Sequence, residues 1–309
     1  MHTDRALRLH GYGGVDSVRV DQAPPPRPGA GQVLVRVRAA GVNGLDYKIR
    51  EGWVQGAFPL PLPATLGIEL AGEVAVVGEG ARRLKVGDRV LGALGGLGAY
   101  ADFAVVDEAK LAPIPDGLSD VQAAAMPVIT LTASQVLRAG GLKAGQTVLI
   151  HGAAGGVGGI AVQLAKAAGA RVIAVASGPR VERVAALGAD QVIDRTTTRF
   201  EDQVSDVDLV VDLAGGDTVD RSWAVLKPGG VLISTAAPDI EGRVPAGKQG
   251  RWFRNQPDTA ELAALAGAVA RGELLAPVSQ TVGFDGLAAA IERNWITPPS
   301  GKIVLDVDL

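Results

Sequence analysis

Residues 147–169 read TVLIHGAAGGVGGIAVQLAKAAG. A β-branched and apolar run, Thr147–Ile150, ends at a glycine cluster. An apolar-periodic run without proline, Ile160–Ala168, follows and is closed by Gly169. The pattern predicts strand, tight turn and helix. Glycines let a backbone approach an anion, and a helix start offers unpaired N–H groups and the positive end of its dipole. The chemistry predicted here is therefore the binding of a pyrophosphate. A second strand candidate, Arg171–Ala176, makes the unit βαβ, the context that separates a dinucleotide site from a bare glycine motif. In the register that starts the turn three residues after the strand, Ala153 takes the first position of G-x-G-x-x-G. Gly155 then takes the second, Gly156 an intermediate and Gly158 the third. The expected contacts are Ala153, Ala154, Gly155, Gly156, Val157 and Gly158. The register Gly156-x-Gly158-x-x-Ala161 also fits the pattern.

The second strand decides which dinucleotide. An acid at its tip would grip a ribose 2′-hydroxyl. Here the strand ends Ala176-Ser177-Gly178, without Asp or Glu, and Arg180 and Arg183 follow, with Arg195 after the third strand. Hydroxyl and guanidinium donors suit a 2′-phosphate, so NADPH is expected over NADH. Each arginine read alone is equally a solvated surface charge. Ala214 and Thr235, at the ends of two later strand candidates, are also assigned to the cofactor.

Other chemistries are excluded or disfavoured. The chain has no cysteine, which removes disulfides, thiol catalysis, iron–sulfur clusters and cysteine-based zinc sites. Its histidines, His2, His10 and His151, lack metal-ligand spacing and read as unrelated, so no metal is expected. There is no G-x-S-x-G elbow. A net charge of −3, no basic block and 4% aromatic residues give no support to nucleic-acid binding. No run approaches the length of a membrane span and Met1–Leu9 lacks a signal-peptide core, so a cytoplasmic protein is expected.

These residues need a scaffold, and 309 residues suggest two domains. Residues 1–115 read as mostly β, with strand candidates Ala6–Leu9, Val33–Ala40, Leu70–Val77, Arg89–Leu91 and Ala101–Val105, and a short helix over Asp46–Glu51. Asp120–Leu137 has a helical pattern that Pro127 interrupts. From Thr147, strands and helices alternate: Arg180–Leu187, Gln191–Ile193, Leu209–Leu213, Asp217–Leu226 and Val231–Thr235 continue the series. Lys227-Pro228-Gly229-Gly230 reads as a helix stop and turn. The alternation predicts an α/β fold with a doubly wound parallel sheet. A later helix is expected over Thr259–Arg271, and Ile303–Val307 alternates as a strand that could return to the first domain.

Several blocks together carry a resemblance. They are AGVNGLDYKIREG at 40–52, PATLGIELAGEVAVVGEG at 63–80, VGDRV at 86–90, LTASQVL at 131–137, HGAAGGVG at 151–158, LGADQVID at 187–194, LKPGG at 226–230 and SGKIVLDV at 300–307. The chain resembles the zinc-independent quinone oxidoreductases of the medium-chain dehydrogenase/reductase superfamily, the group of the ζ-crystallin-like enzymes and the alkenal/enone reductases. The resemblance implies a GroES-like β domain from residues 1–120 and 259–309 and an inserted Rossmann domain, 121–258, with the active site in the cleft. It also implies a homodimer that pairs edge strands, for which the stretch Gly250–Asn255 is the place to look.

In zinc-dependent members of the superfamily a cysteine stands where this chain has Asn43, and a histidine where it has Ile68. The resemblance therefore implies an enzyme that transfers hydride from NADPH to an already activated acceptor, a quinone or an α,β-unsaturated carbonyl, without a Lewis acid. Asn43 and Thr132 are expected near the nicotinamide or substrate. Many quinone reductases carry a tyrosine aligned with Lys48, so Lys48, the adjacent Tyr47 or a bound water is left as proton donor. Asp46 reads as a structural acceptor or helix cap. Two other readings stay open: a reductase of enoyl thioesters or polyketide-type alkenes, and an NADPH-binding protein with a regulatory or structural role.

Overall fold

The structure, a computed structural model, describes residues 4–56 and 59–309; His2 lies outside them. The chain forms two compact units, residues 1–128 with 257–309 and residues 129–256.

The first unit opens with β1 (Asp4–Leu9), β2 (Val18–Ala23) and β3 (Gln32–Gly41), then α1 (Gly44–Arg50). It continues through β4 (Ala64–Thr65), β5 (Glu69–Val77), β6 (Arg89–Ala93), β7 (Phe103–Asp107), β8 (Leu111–Pro113) and α2 (Asp120–Ala124). Valines at every second position of β3, Val33, Val35 and Val37, all point into the core, as a period of two dictates. Where β5 crosses β3, any side chain at Gly72 would place a Cβ 2.1 Å from the Arg36 carbonyl oxygen, so only glycine fits. Pro127 divides the expected long helix: α2 ends before it and α3 (Pro127–Ala139) starts on it, a place where the missing N–H costs nothing.

The second unit carries β9 (Thr147–His151), α4 (Gly156–Ala167), β10 (Arg171–Ala176), α5 (Val181–Ala186), β11 (Gln191–Asp194), β12 (Val207–Asp212), α6 (Asp217–Ser222), β13 (Leu226–Ser234) and β14 (Gln249–Trp252). Its strands form one six-stranded sheet in the order β11-β10-β9-β12-β13-β14, every pair parallel. Numbered from β9, that is the 3-2-1-4-5-6 order of a doubly wound dinucleotide fold, and the order reverses between β9 and β12. Leu149, Ile173, Val210 and Leu232 fill its core.

Two local expectations are corrected here. Helix α6 stops at Ser222, short of Leu226, and the Lys227-Pro228-Gly229-Gly230 turn signal lies inside β13. The sheet absorbs it as a register irregularity opposite Val207–Leu209. Helix α4 starts at Gly156, four residues before Ile160; the apolar pattern does not mark this first turn, which is written in glycines of low helix propensity.

The chain then returns to the first unit through α7 (Thr259–Ala270), β15 (Val278–Val282), α8 (Phe284–Ile296) and β16 (Lys302–Asp306). Strand β15 and helix α8 are not among the elements expected from the sequence, although the buried Phe284, Leu287 and Ile291 of α8 stand at helical spacing. Strand β16 pairs antiparallel with β3, placing Val304 opposite Gly41, and joins a sheet ordered β15-β16-β3-β5-β6-β8.

Candidate functional site

The glycine turn sits at the carboxyl end of β9, beside the point where the strand order reverses. Gly152 has φ +72°, so the sharp turn falls one residue before the buried Ala153. A Cβ at Gly158 would lie 2.3 Å from the Gly152 carbonyl oxygen and 2.6 Å from the Ala153 Cα. Gly158 therefore does what the motif's third glycine does, letting helix and turn pack closely. A Cβ at Gly155, the N-cap of α4, would meet only the Gly152 oxygen, at 3.4 Å. That face is open, and the first N–H groups of α4 have no partner inside the helix. Ala154, Gly155, Gly156 and Val157 line this start and are half-buried. The open cradle offers the close backbone approach and the N–H donors that a dinucleotide pyrophosphate would need.

At the neighbouring strand ends, Ala176 of β10 pairs with Asp194 of β11. The Arg195 N–H donates to the Ala176 carbonyl at 3.0 Å, and the Arg180 N–H to the Ser177 carbonyl at 3.2 Å. Ser177, Arg180 and Arg195 are thus gathered at one crest, and Arg183 follows, exposed, on α5. The crest also holds a carboxylate that the strand-tip reading left out. Asp194 Oδ1 accepts from the Gly178 N–H at 3.1 Å, the Thr196 N–H at 2.9 Å and the Thr196 hydroxyl at 2.7 Å.

The ends of β12 and β13 are tied by a second unforeseen acid. Asp212, fully buried, accepts from the Thr218 hydroxyl (2.8 Å), the Gly215 N–H (3.0 Å), the Ala214 N–H (3.2 Å) and the Ser234 hydroxyl (2.6 Å). Ser234 Oγ in turn accepts the N–H groups of Ala236 and Ala237, both at 3.0 Å. One carboxylate so fixes the turns that carry Ala214 and Thr235, and the Thr235 N–H donates to the Asp212 carbonyl at 3.1 Å. A strand-end acid before a Gly-Gly pair, Asp212-Leu213-Ala214-Gly215-Gly216, was the available signal. His151 lies against this region with Nε2 2.8 Å from the Ser222 hydroxyl. Burial pushes it down to about 4, against the pull of Asp212, so it is neutral at pH 7.

The first unit holds a buried polar cluster. Asn43 caps α1, and its N–H donates to the Asp46 carboxylate at 2.7 Å. The same Asp46 oxygen accepts the Tyr100 hydroxyl at 2.6 Å, so Asp46 is the structural acceptor its place in the helix suggested. Burial lifts the Asp46 carboxyl to about 6 and drives Tyr100 well above the usual phenol range. The Asn43 amide donates to Glu69 Oε1 at 2.8 Å and to the Gly41 carbonyl at 3.1 Å. Its Oδ1 accepts from Lys302 Nζ at 2.5 Å, and Lys302 also meets Glu69 Oε1 at 2.6 Å. The Val128 N–H takes Glu69 Oε2 at 2.7 Å. Gly41 makes room for this, since a Cβ there would lie 2.3 Å from Glu69 Oε1.

This donor set does not fit a zinc ion. An ammonium stands among an amide and a carboxylate whose oxygens are all engaged, and the neighbouring Ile68 offers no donor. Among the described residues no three His, Cys, Asp or Glu side chains could hold a metal.

Tyr47 and Lys48 are brought together, one turn along α1, around Trp295 of α8. Tyr47 stacks on Trp295 with centroids 5.4 Å apart, and Trp53 meets both rings edge-on at 5.5 and 5.7 Å. Lys48 Nζ lies 5.1 Å from the Trp295 ring centroid. Partial burial holds its ammonium below the usual lysine range. Thr132 is buried on α3 in the second unit. Sequence reasoning missed Lys302 and Trp295, which lie far along the chain from the residues they touch.

Residues 29–116 match the alcohol dehydrogenase GroES-like domain family and residues 156–256 the zinc-binding dehydrogenase family. The chain is 39% identical over 239 residues to a quinone oxidoreductase of Pseudomonas aeruginosa, covering 74% of this chain and 72% of that one. It is 38% identical to the human synaptic vesicle membrane protein VAT-1 homolog, over 74% of this chain and 60% of that longer one. It is 40% identical to a stretch of the erythronolide synthase EryA2 of Saccharopolyspora erythraea, over 74% of this chain and 6% of that one. Among solved structures, the quinone oxidoreductase of Coxiella burnetii superposes with a TM-score of 0.95 at 32% identity, covering 99% and 100% of the two chains. The Escherichia coli quinone oxidoreductase complexed with NADPH gives 0.87 at 29%, covering 98% and 99%. The CurK enoyl reductase gives 0.88 at 27%, covering 99% of each chain.

Proposed function

The chain belongs to the quinone oxidoreductase family of the medium-chain dehydrogenases/reductases and is an oxidoreductase; within that family we propose that it uses NADPH to reduce a quinone or an α,β-unsaturated carbonyl without zinc. The observation that carries this reading is the buried Lys302–Glu69–Asn43 cluster: a cation, an anion and an amide that satisfy one another, with no thiolate or imidazole among them. An isolated ketone or alcohol needs a Lewis acid to take up charge on oxygen. A quinone or enone spreads that charge through its own conjugation, so positioning and a proton suffice.

Bound NADPH would supply a hydride to the electron-poor carbon. The chain's residues do the rest. The α4 N-terminus, reached through Ala153–Gly158, holds the pyrophosphate. Ser177, Arg180, Arg183 and Arg195 receive the 2′-phosphate, and Ala214 and Thr235 present the turns that Asp212 fixes. Asn43 is locked by Lys302 and Glu69, so its part is to hold the start of α1 and with it Tyr47 and Lys48. Lys48, its ammonium eased toward proton loss by burial, is the better proton donor of the two. Thr132, a buried polar group on α3, is the candidate that the second unit offers for the nicotinamide.

We assign the protein to the cytoplasm, as a homodimer. No helix among the described residues is long and apolar enough to cross a membrane. Strand β14 is an open edge of the parallel sheet with Trp252 exposed on it. Light scattering after size exclusion, on wild type and Trp252→Glu, tests the dimer.

The acceptor is tested by NADPH oxidation with a panel of quinones, enones, enoyl thioesters and simple ketones. Turnover with quinones or enones, unaltered by chelators, supports the reading; silence with both overturns it. A second reading, reduction of an enoyl thioester, is favoured by the likeness to EryA2 and the CurK enoyl reductase. Faster turnover of the thioesters than of every quinone would select it.

A further inference from the structure

The second strand lacks an acid at its tip, yet the structure brings one there from the third strand. Asp194 is the register partner of Ala176, the last residue of β10, and its Oδ1 takes the N–H of Gly178 in the turn that leaves that strand. In a sheet of this order the tip of the second strand is where a ribose 2′-substituent is recognised. Thr196 binds the same oxygen twice, and the N–H groups of Thr197 and Thr198 donate to the Asp194 carbonyl at 3.2 and 2.9 Å. The carboxylate therefore closes two turns at once and is fixed in place. Among the described residues, the hydrogen bonds to this carboxylate from Gly178 and Thr196 all fall on Oδ1.

We propose that Asp194 is a specificity-determining residue for the cofactor: a fixed negative charge at the 2′ position that opposes a 2′-phosphate and accepts a 2′-hydroxyl, so that it offsets part of what Arg180, Arg183 and Arg195 contribute toward NADPH. The inference rests on the reading that this crest takes a nicotinamide dinucleotide. Two observations support the electrostatic part. Hydrogen bonds from Thr196 and Gly178 hold the Asp194 carboxyl below the usual range, with Arg195 adding to the effect, so the group is charged at neutral pH. Arg195, an arginine assigned to the phosphate, thus has a carboxylate beside it.

Asp194→Asn separates charge from geometry, because the amide oxygen can still accept from Gly178 and Thr196. Dissociation constants of NADPH and NADH, read from nicotinamide fluorescence on the full chain without acceptor, form the test, with 2′-AMP and 5′-AMP as fragments. A phosphate of nearly two charges, a few ångströms from one carboxylate in water-like surroundings, predicts a change of about tenfold. The ratio of the NADH to the NADPH constant should rise by that factor in Asp194→Asn, the 2′-AMP constant should fall, and added salt should shrink the difference. An unchanged ratio, with both cofactors weakened together or neither affected, overturns the inference and leaves Asp194 as a turn holder. Failure of wild type to bind either cofactor overturns the dinucleotide reading and this inference with it.

Discussion

Lys302 Nζ lies 2.6 Å from Glu69 Oε1, with one side chain 5% exposed and the other not at all. The pair joins β16, the last strand, to the start of β5. Isolated buried charges are costly, and removing one partner leaves the other uncompensated. Lys302→Met keeps the volume and deletes the charge, so it should destabilise the protein by about 3–5 kcal/mol in denaturant unfolding. Glu69→Gln combined with Lys302→Met should recover much of that loss. Equal losses in the single and the double variant would show that the pair acts through packing alone.

Asp46 is a buried carboxyl raised to about 6 from an ordinary value of 3.8, chiefly by burial. Its folded value lies above its unfolded one, so the native state favours the protonated form. The stability it contributes is full below about pH 4 and is lost as the pH rises through 6. The difference in the two values corresponds to about 3 kcal/mol. Asp46→Asn can still accept from the Asn43 N–H and the Tyr100 hydroxyl. Its unfolding midpoint in urea, measured across pH 4 to 8, should lose the decline that wild type shows between 4 and 6. A wild-type curve that rises over that interval would contradict this account.

The dinucleotide unit was legible because its signals are local: a β-branched run, glycines at set spacing and an apolar helix follow one another directly. Its details were less so. Glycines mark a turn by propensity, yet Gly156, Gly158 and Gly159 belong to α4, since close packing outweighs their helix cost. The Pro-Gly-Gly of residues 228–230 signals a turn, but sheet pairing holds it in β13. Asp194, Asp212 and Lys302 stayed hidden for another reason. Lys302 acts on Asn43 and Glu69, which only the fold brings near. Asp194 and Asp212, beside local turn bonds to Thr196 and to Ala214, Gly215 and Thr218, each reach one such distant partner, Gly178 or Ser234. No periodicity encodes those pairings.

The two inner glycines of the turn should fail differently. Gly158→Ala forces a methyl against the Gly152 oxygen and should cost about 1–3 kcal/mol of stability as well as nucleotide affinity. Gly155→Ala meets nothing nearer than 3.4 Å, so its melting temperature should stay near wild type. Its methyl instead intrudes on the anion's approach, weakening NADPH on the order of tenfold, the equivalent of one good hydrogen bond. Fluorescence titration beside thermal melts separates the two. If Gly155→Ala binds NADPH as wild type does, the anion sits elsewhere.

Lys48 and Tyr47 lie side by side on α1, but their surroundings differ. The Tyr47 ring is held by stacking on Trp295 and by the Arg50 guanidinium 4.8 Å from its centroid, contacts that do not use its hydroxyl. Tyr47→Phe should therefore keep turnover. Lys48 is half-buried with its ammonium held below the usual lysine range, which suits a proton donor. Lys48→Met should lower kcat with the best acceptor about a hundredfold, the common loss on removing a general acid. In wild type, kcat should fall as the pH rises toward the alkaline side, over a range below that of an ordinary lysine, because the acid form is being lost. That limb should vanish in Lys48→Met. If both variants keep full turnover and the limb persists, a bound water delivers the proton, and Lys48 serves only to cover Trp295.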